Sequence, residues 1–211
     1  MGHLNYSELI KNNELWIQEK LKADSDYFSN LAEGQSPKYL MLGCSDSRVP
    51  LSQLMKADPG EIFIHRNIAN QANLTDINFL SVLEYSVEHL HIEHIIVVGH
   101  YRCGGVAAAI DGVDQGLIEN WVAPIKDLYG NNKAEFEKLG DKSAVADRLS
   151  ELNAVAQAKN ILKTPTMERA FKRKKYPHIH SWIFDIYTGR IKEMPLPEVQ
   201  WKAEGLLPEF Y

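Results

Sequence analysis

Apolar and polar positions change rhythm several times along the chain, and each change predicts an element. Residues 5–22 carry Leu9, Ile10, Leu15, Trp16 and Leu21 at a loosely helical spacing, which predicts an amphipathic N-terminal arm without a core partner in its own sequence neighbourhood. From Tyr39 the pattern shifts to short apolar runs, Tyr39-Leu40-Met41-Leu42 ahead of Gly43 and Glu61-Ile62-Phe63-Ile64, which read as strands. Thr75 to Leu90 places Ile77, Leu80, Leu83, Val87 and Leu90 on one stripe, a helix with Thr75 as its expected N-cap. His94-Ile95-Ile96-Val97-Val98, bounded by Gly99, is the continuous β-branched run of a strand buried on both faces, and a helix over Gly104 to Ile110 follows at once.

Two or three helices come next. The clearest is Ser143 to Lys163, with Val145, Leu149, Leu152, Val155 and Ile161 on or near one face, and Thr164-Pro165 opens another. Ile179-His180-Ser181-Trp182-Ile183-Phe184 reads as the last strand, after which Tyr187-Thr188-Gly189-Arg190 turns the chain towards Ile191. Strand, glycine-marked turn and helix in alternation predict the α/β class: a mostly parallel central β-sheet flanked by helices, with an N-terminal helical arm. There is no repeat, low-complexity tract or linker, so 1–211 reads as a single domain. Within it, 1–35 form the arm, 36–195 the α/β core and 196–211 a C-terminal tail.

Composition narrows the function. A length of 211 residues with 45% hydrophobic and 24% charged positions suits one globular domain with a proper core. The net charge of -5 argues against nucleic acid as a partner, because that surface needs a basic field. The basic run Lys172-Arg173-Lys174-Lys175 reads as a solvated helix end favoured by the macrodipole. No apolar run approaches a membrane span, and Met1-Gly2 lacks the Ser or Thr of a myristoylation signal, since Tyr6 stands there. No secretory pattern is visible, so a cytoplasmic, reducing compartment is expected, with no membrane partner.

The chain has two cysteines, and each lies just past a predicted strand, in Leu42-Gly43-Cys44-Ser45-Asp46-Ser47-Arg48 and Val98-Gly99-His100-Tyr101-Arg102-Cys103-Gly104-Gly105. Neighbouring parallel strands share a carboxyl edge, so Cys44, His100 and Cys103 can converge there as three zinc ligands that leave a fourth position open. Cys103, in the turn entering a helix, meets free N–H groups that favour a thiolate. Asp46 and Arg48 alternate in an extended loop and can form a bidentate pair beside the metal. The residues by themselves leave other readings open: a loop-bracing ion pair for Asp46 and Arg48, and a Cys44–Cys103 disulfide were the protein secreted.

Three alternatives fail on spacing. A phosphatase loop needs five residues between Cys and Arg, whereas three separate Cys44 from Arg48; the zinc-deaminase pattern is absent; and Gly99 to Gly105 is no dinucleotide fingerprint. The cluster His89, His91 and His94 spans a helix end and a strand start, so its rings are expected to diverge as ordinary surface histidines.

The two cysteine segments resemble the zinc motifs of the β-class carbonic anhydrases. The stretch between them is similar in order and spacing, with Pro59-Gly60-Glu61, His65-Arg66-Asn67-Ile68-Ala69-Asn70 and Glu84-Tyr85-Ser86-Val87, and the resemblance spans roughly residues 5–190. It implies one Zn²⁺ per subunit on Cys44, His100 and Cys103, and reversible hydration of carbon dioxide to bicarbonate and a proton. It implies Asp46 with Arg48 as the catalytic dyad, Gln35 as a substrate contact, and Gly104 as a backbone N–H facing the pocket. Phe63, Ile68 and Tyr85 are implied as the apolar lining, shared between subunits of a homodimer or tetramer.

Hydrolysis of carbon disulfide or carbonyl sulfide on the same fold, and a non-catalytic zinc-stabilised module, are the competing readings. Some members of the family carry a bicarbonate site that favours an inactive form with Asp46 on zinc. Here Arg66 is kept, but Met41 and Phe184 stand where Trp and Tyr are wanted, so an open site with Asp46 paired to Arg48 is expected.

Overall fold

The computed structural model describes residues 4–112 and 116–211. They divide into two compact units, Met1–Ser36 and Pro37–Tyr211. The N-terminal unit holds α1 (Tyr6–Ala23) and α2 (Tyr27–Ala32). The Asn5 backbone N–H donates to the Glu8 carboxylate at 2.8 Å, closing the first turn of α1. Trp16, Tyr27 and Phe28 meet edge to face, with centroids 5.0 to 6.3 Å apart. No residue of α1 is buried, and Leu9, Ile10, Leu15 and Leu21 remain exposed.

The second unit is built on a five-stranded sheet: β1 (Tyr39–Cys44), β2 (Ile62–Asn67), β3 (His94–His100), β4 (His178–Asp185) and β5 (Arg190–Glu193), in the order β2-β1-β3-β4-β5. The first four pair in parallel and β5 adds an antiparallel edge. Its helices are α3 (Leu51–Leu54), α4 (Ile77–Glu88), α5 (Gly104–Asp111), α6 (Leu117–Asn131), α7 (Lys133–Phe136), α8 (Lys142–Leu162), α9 (Pro165–Lys172) and α10 (Glu198–Ala203).

Alternation along the strands sorts side chains between two layers. Leu40, Leu42, Ile95, Val97, Ile179 and Ile183 join Phe79, Leu83, Ala158, Ile161 and Met167 of α4, α8 and α9 in the larger core. Met41, Ile96, Val98 and Phe184 face the other way and pack with Leu51 of α3. A third cluster, Val106, Ala109, Val122, Ile125, Phe136 and Leu149, lies under Cys44 and Cys103 and supports the carboxyl edge of the sheet.

Several expectations are corrected. The N-cap of α4 is Asp76, whose carboxylate accepts from the Asn78 N–H at 3.0 Å, while the Thr75 hydroxyl donates to Asn73. Gly99 is not a turn residue: β3 runs on to His100, and a Cβ at Gly99 would stand 2.9 Å from Ile183 Cδ1 and 3.3 Å from Ala154 Cβ, so the glycine lets α8 approach the sheet. The strand over Ile179–Phe184 is not the last, because Gly189 at φ +71° turns the chain back into β5. Within 196–211, which the sequence marks as a C-terminal tail, α10 (Glu198–Ala203) forms, and Trp201 and Leu207 are buried in the larger core. Thr164 does cap α9, accepting from the Met167 N–H, with Pro165 in the first turn.

Glu151 of α8 is buried and accepts from Lys192 of β5 at 2.7 Å, Arg148 at 2.9 Å and the Tyr101 hydroxyl at 2.6 Å. Burial works to raise its pKa, but Lys192, Tyr101 and Arg148 together hold it below the ordinary carboxylate value.

Two predictions follow from this packing. Replacing Trp201 by Ala should cost about 3–5 kcal/mol in denaturant unfolding, because a fully buried indole leaves a cavity. For Glu151, a folded pKa below the unfolded one means a contribution that is present above the unfolded value and lost as pH falls through the folded value. The stability gap between the wild type and Glu151→Gln should therefore be full at neutral pH and shrink on acidification, read as the difference in thermal midpoints.

Candidate metal centre

Cys44 ends β1, His100 ends β3, and Cys103 is the N-cap of α5. Parallel pairing with Gly43 opposite Val98 places the two strand ends side by side. The two sulfurs stand 3.9 Å apart, and the ligand atoms of Cys44, His100 and Cys103 all lie within 4.8 Å of one another. All three residues are buried, and among the described residues this is the only such group that could hold a metal ion.

His100 Nδ1 contacts the Tyr101 backbone carbonyl at 2.9 Å. As the N–H donor there, Nδ1 leaves Nε2 as the free lone pair. Nε2 is buried without a hydrogen-bond partner and belongs to the same cluster. Two thiolates on a tetrahedral ion with bonds of about 2.3 Å stand about 3.8 Å apart, so the observed sulfur spacing and the orphaned imidazole nitrogen suit a zinc-like ion.

The electrostatics match. A hydrogen bond from Cys103 draws the Cys44 thiol down to about 4; burial opposes this, while His100 and the Asp46 backbone N–H assist. Cys103 moves far upward, since its thiol donates to Cys44 and burial penalises a second charge. Burial of both sulfurs disfavours two charges there unless a cation stands with them. The Gly105 and Val106 amides of the first turn of α5 point at the Cys103 sulfur and favour its thiolate.

Asp46 lies on the rim. Its Oδ1 accepts from the Arg48 backbone N–H at 3.0 Å and Nε at 2.9 Å, and its Oδ2 from Arg48 Nη2 at 2.6 Å. The other side of Oδ2 stands 3.8 Å from His100 Nε2. The Arg48 guanidinium holds this carboxyl far below the usual range against modest burial. Arg48 Nη2 also donates to the Arg102 carbonyl at 3.3 Å, tying the two cysteine segments together. Arg66 donates to the carbonyls of Cys44 and Asp46 at 2.6 to 2.9 Å, so its guanidinium is used in bracing this loop.

The remaining predicted residues separate into groups. Gly104 opens α5 beside Cys103, exposed, with no atom within 4 Å of where a Cβ would stand. Ile68 packs against the same helix start: a Cβ on Gly105 would lie 2.8 Å from Ile68 Cγ2 and 3.0 Å from Ala69 Cβ. Phe63 and Tyr85 pair with each other at 5.9 Å. Phe63 lies four residues before Asn67, the register partner of Cys44, so it sits about 13 Å back along β2. Within one chain these two rings are not brought to the cysteines, and Tyr85 is 47% exposed. Gln35 belongs to the N-terminal unit and is exposed.

Residues that sequence reading missed hold the turn at Ile68–Asn70. Ala69 and Asn70 adopt φ of +61° and +48°, a costly conformation for non-glycine residues. Asn153 of α8 donates to the Ala69 carbonyl at 3.0 Å, and the Trp121 indole donates to the Ile68 carbonyl at 2.8 Å. Asn67 exchanges two 2.7 Å bonds with the Gln71 backbone. The available signal was a pair of amides, Asn153 and Gln157, one turn apart among the apolar positions Leu149, Ala154, Ala158 and Ile161 of α8. Among the histidines, His94 meets His180 of β4 at 3.0 Å, whereas His89 lies against Tyr85.

Comparison with known proteins agrees with this geometry. The family model described as carbonic anhydrase matches residues 39–191. A carbonic anhydrase of Emericella nidulans is 39% identical over 189 residues, covering 90% of this chain and 83% of the relative, and one of Candida albicans is 30% identical, covering 92% and 70%. Among solved structures, a tetrameric β-carbonic anhydrase of Sordaria macrospora superposes with a TM-score of 0.85 at 38% identity, covering 89% of this chain and 95% of that one. The Coccomyxa β-carbonic anhydrase, in complex with acetazolamide, gives 0.85 at 34%, covering 95% and 92%. No helix among the described residues is long and apolar enough to cross a membrane. With its matched span running from the first residue of β1 into β5 and enclosing Cys44, His100 and Cys103, the chain belongs to the β-carbonic anhydrase family.

Proposed function

We propose that this protein catalyses the reversible hydration of carbon dioxide to bicarbonate and a proton. The observation that carries the reading is the buried Cys44–His100–Cys103 cluster with an ionised carboxylate, Asp46, held at its rim. Cys44, His100 and Cys103 would hold a zinc ion, which would supply a Lewis acid able to activate water near neutral pH.

The protein's own residues then do three things. Asp46 Oδ2 accepts a hydrogen bond from the attacking water oxygen and aims the lone pair at the carbon. A carboxylate held so low in pKa is a poor proton store, so it orients the nucleophile and the released proton passes to solvent. Arg48 fixes the plane of Asp46 through its bidentate contact. Gly104 presents the free N–H of a helix start, and Ile68 an apolar wall, beside Cys103.

Phe63 and Tyr85 complete the substrate pocket in an assembly of at least two copies. Support for that assembly comes from the distance of Phe63 from the cysteines within one chain, from exposed Tyr85, and from the apolar residues left uncovered on α1.

Stopped-flow measurement of hydration on zinc-loaded protein tests the reaction, and absence of acceleration over buffer would overturn it. Asp46→Asn should lose activity by about 100-fold or more while keeping its metal. Elemental analysis should find one zinc per wild-type chain and almost none in Cys44→Ala. The donor set brings two negative charges to a dication and leaves a nearly neutral centre, so turnover should climb from about pH 6.5 towards about pH 9. Light scattering should give a mass that is a multiple of 24.0 kDa, two or more, at the concentrations where the enzyme is active.

A further inference from the structure

His100 is aimed by an unusually local contact. Its Nδ1 meets the carbonyl of the next residue, Tyr101, at 2.9 Å, so the orientation of a metal ligand depends on the orientation of a single peptide group. That peptide leads into Arg102 at φ +58°, a left-handed conformation that an arginine does not hold unaided.

Three bonds fix it from outside the turn. The Tyr101 backbone N–H donates to the Phe184 carbonyl at 3.1 Å, and the Arg102 N–H donates to Asp147 Oδ1 at 3.2 Å. The Tyr101 hydroxyl donates to Glu151 Oε1 at 2.6 Å. Asp147 and Glu151 are one helical turn apart on α8 and so meet the turn from the same face. Glu151 is itself pinned by Lys192 and Arg148, and Arg148 by Glu135. Among the described residues Glu151 bonds to Tyr101, Arg148 and Lys192, and of these Tyr101 is the neighbour of His100 in sequence.

We propose that Glu151 is a positioning residue for the metal ligand His100, acting through the Tyr101 hydroxyl. The chain Glu151–Tyr101–His100 holds the imidazole so that Nε2 points into the thiolate pair. This rests on the zinc reading above and extends it to a residue on the far side of the turn.

The test is metal affinity and ligand field, measured on the full-length protein. Tyr101→Phe removes one oxygen and leaves Glu151 still paired with Lys192 and Arg148. It should weaken zinc about 10-fold or more by competition with a chelator, the range seen when partners of metal-bound histidines are lost. It should also shift the visible absorption of the cobalt-substituted protein. Glu151→Ala should reproduce both effects, and Glu151→Gln, whose amide oxygen can still accept from Tyr101, should restore most of the affinity.

A Tyr101→Phe protein that folds, with zinc affinity within twofold of wild type and an unchanged cobalt spectrum, would overturn the proposal. So would a loss of affinity in Glu151→Gln equal to that in Glu151→Ala, because the hydroxyl bond would then not be what matters. If Tyr101→Phe does not fold, the Glu151→Gln and Glu151→Ala pair decides by the same comparison. A wild-type chain that binds no zinc, or binds it unchanged after Cys44→Ala, would instead refute the metal reading and this inference with it.

Discussion

Two sulfur atoms buried 3.9 Å apart cannot both carry a charge unless a cation stands with them. The sheet brings Cys44 and Cys103 into this position by pairing β1 with β3 in parallel, and the fold answers the charge from several sides. Amides at the start of α5 face Cys103, the Asp46 N–H and His100 face Cys44, and Arg48 and Arg66 knit the loop around them. A dication here would let both thiols ionise and give His100 Nε2 a partner, so metal binding and the stability of this corner would be linked, with protons leaving as the ion enters.

The same corner concentrates backbone strain. Ala69, Asn70 and Arg102 all sit at positive φ within the two loops that frame the cluster. Each loop is held by bonds from elements remote in sequence, and α8 contributes to both: Asn153 to the Ile68–Asn70 turn, and Asp147 and Glu151 to the Tyr101–Arg102 turn. Gln157 adds a further bond, its amide oxygen accepting from the Ala72 N–H. This helix packs the sheet with Leu149, Ala154, Ala158 and Ile161 while its buried polar side chains set loop geometry, so one rigid element serves core and site together.

How much of this was legible in the sequence differs from feature to feature. The candidate donor set was legible because it is local: a thiol and an imidazole each one glycine past an apolar run, a second thiol three positions after the imidazole, and an acid–guanidinium pair beside the first thiol. The alternation of strand and helix was legible because apolar periodicity records how each segment is buried. Local pattern also misled. Gly99 looked like a turn because glycine commonly marks one, yet its role is close packing against Ala154 and Ile183. Thr75 looked like a cap, but the adjacent Asp76 takes the position.

What only the tertiary structure decided depends on contacts between distant residues. Asn153 and Ala69 are 84 positions apart, and Glu151 and Tyr101 are 50 apart. No periodicity shows that an amide or a carboxylate on an apolar helix face has a specific backbone or hydroxyl partner, because that partner is defined by packing. Strand order, the antiparallel β5 edge and the return of Trp201 to the core are of the same kind. The sequence by itself determined which side chains are candidate donors and which segments are helix or strand, since these follow from side-chain chemistry and local burial. The tertiary structure decided how the atoms are aimed, because aim is set by hydrogen bonds that form only once the chain has folded.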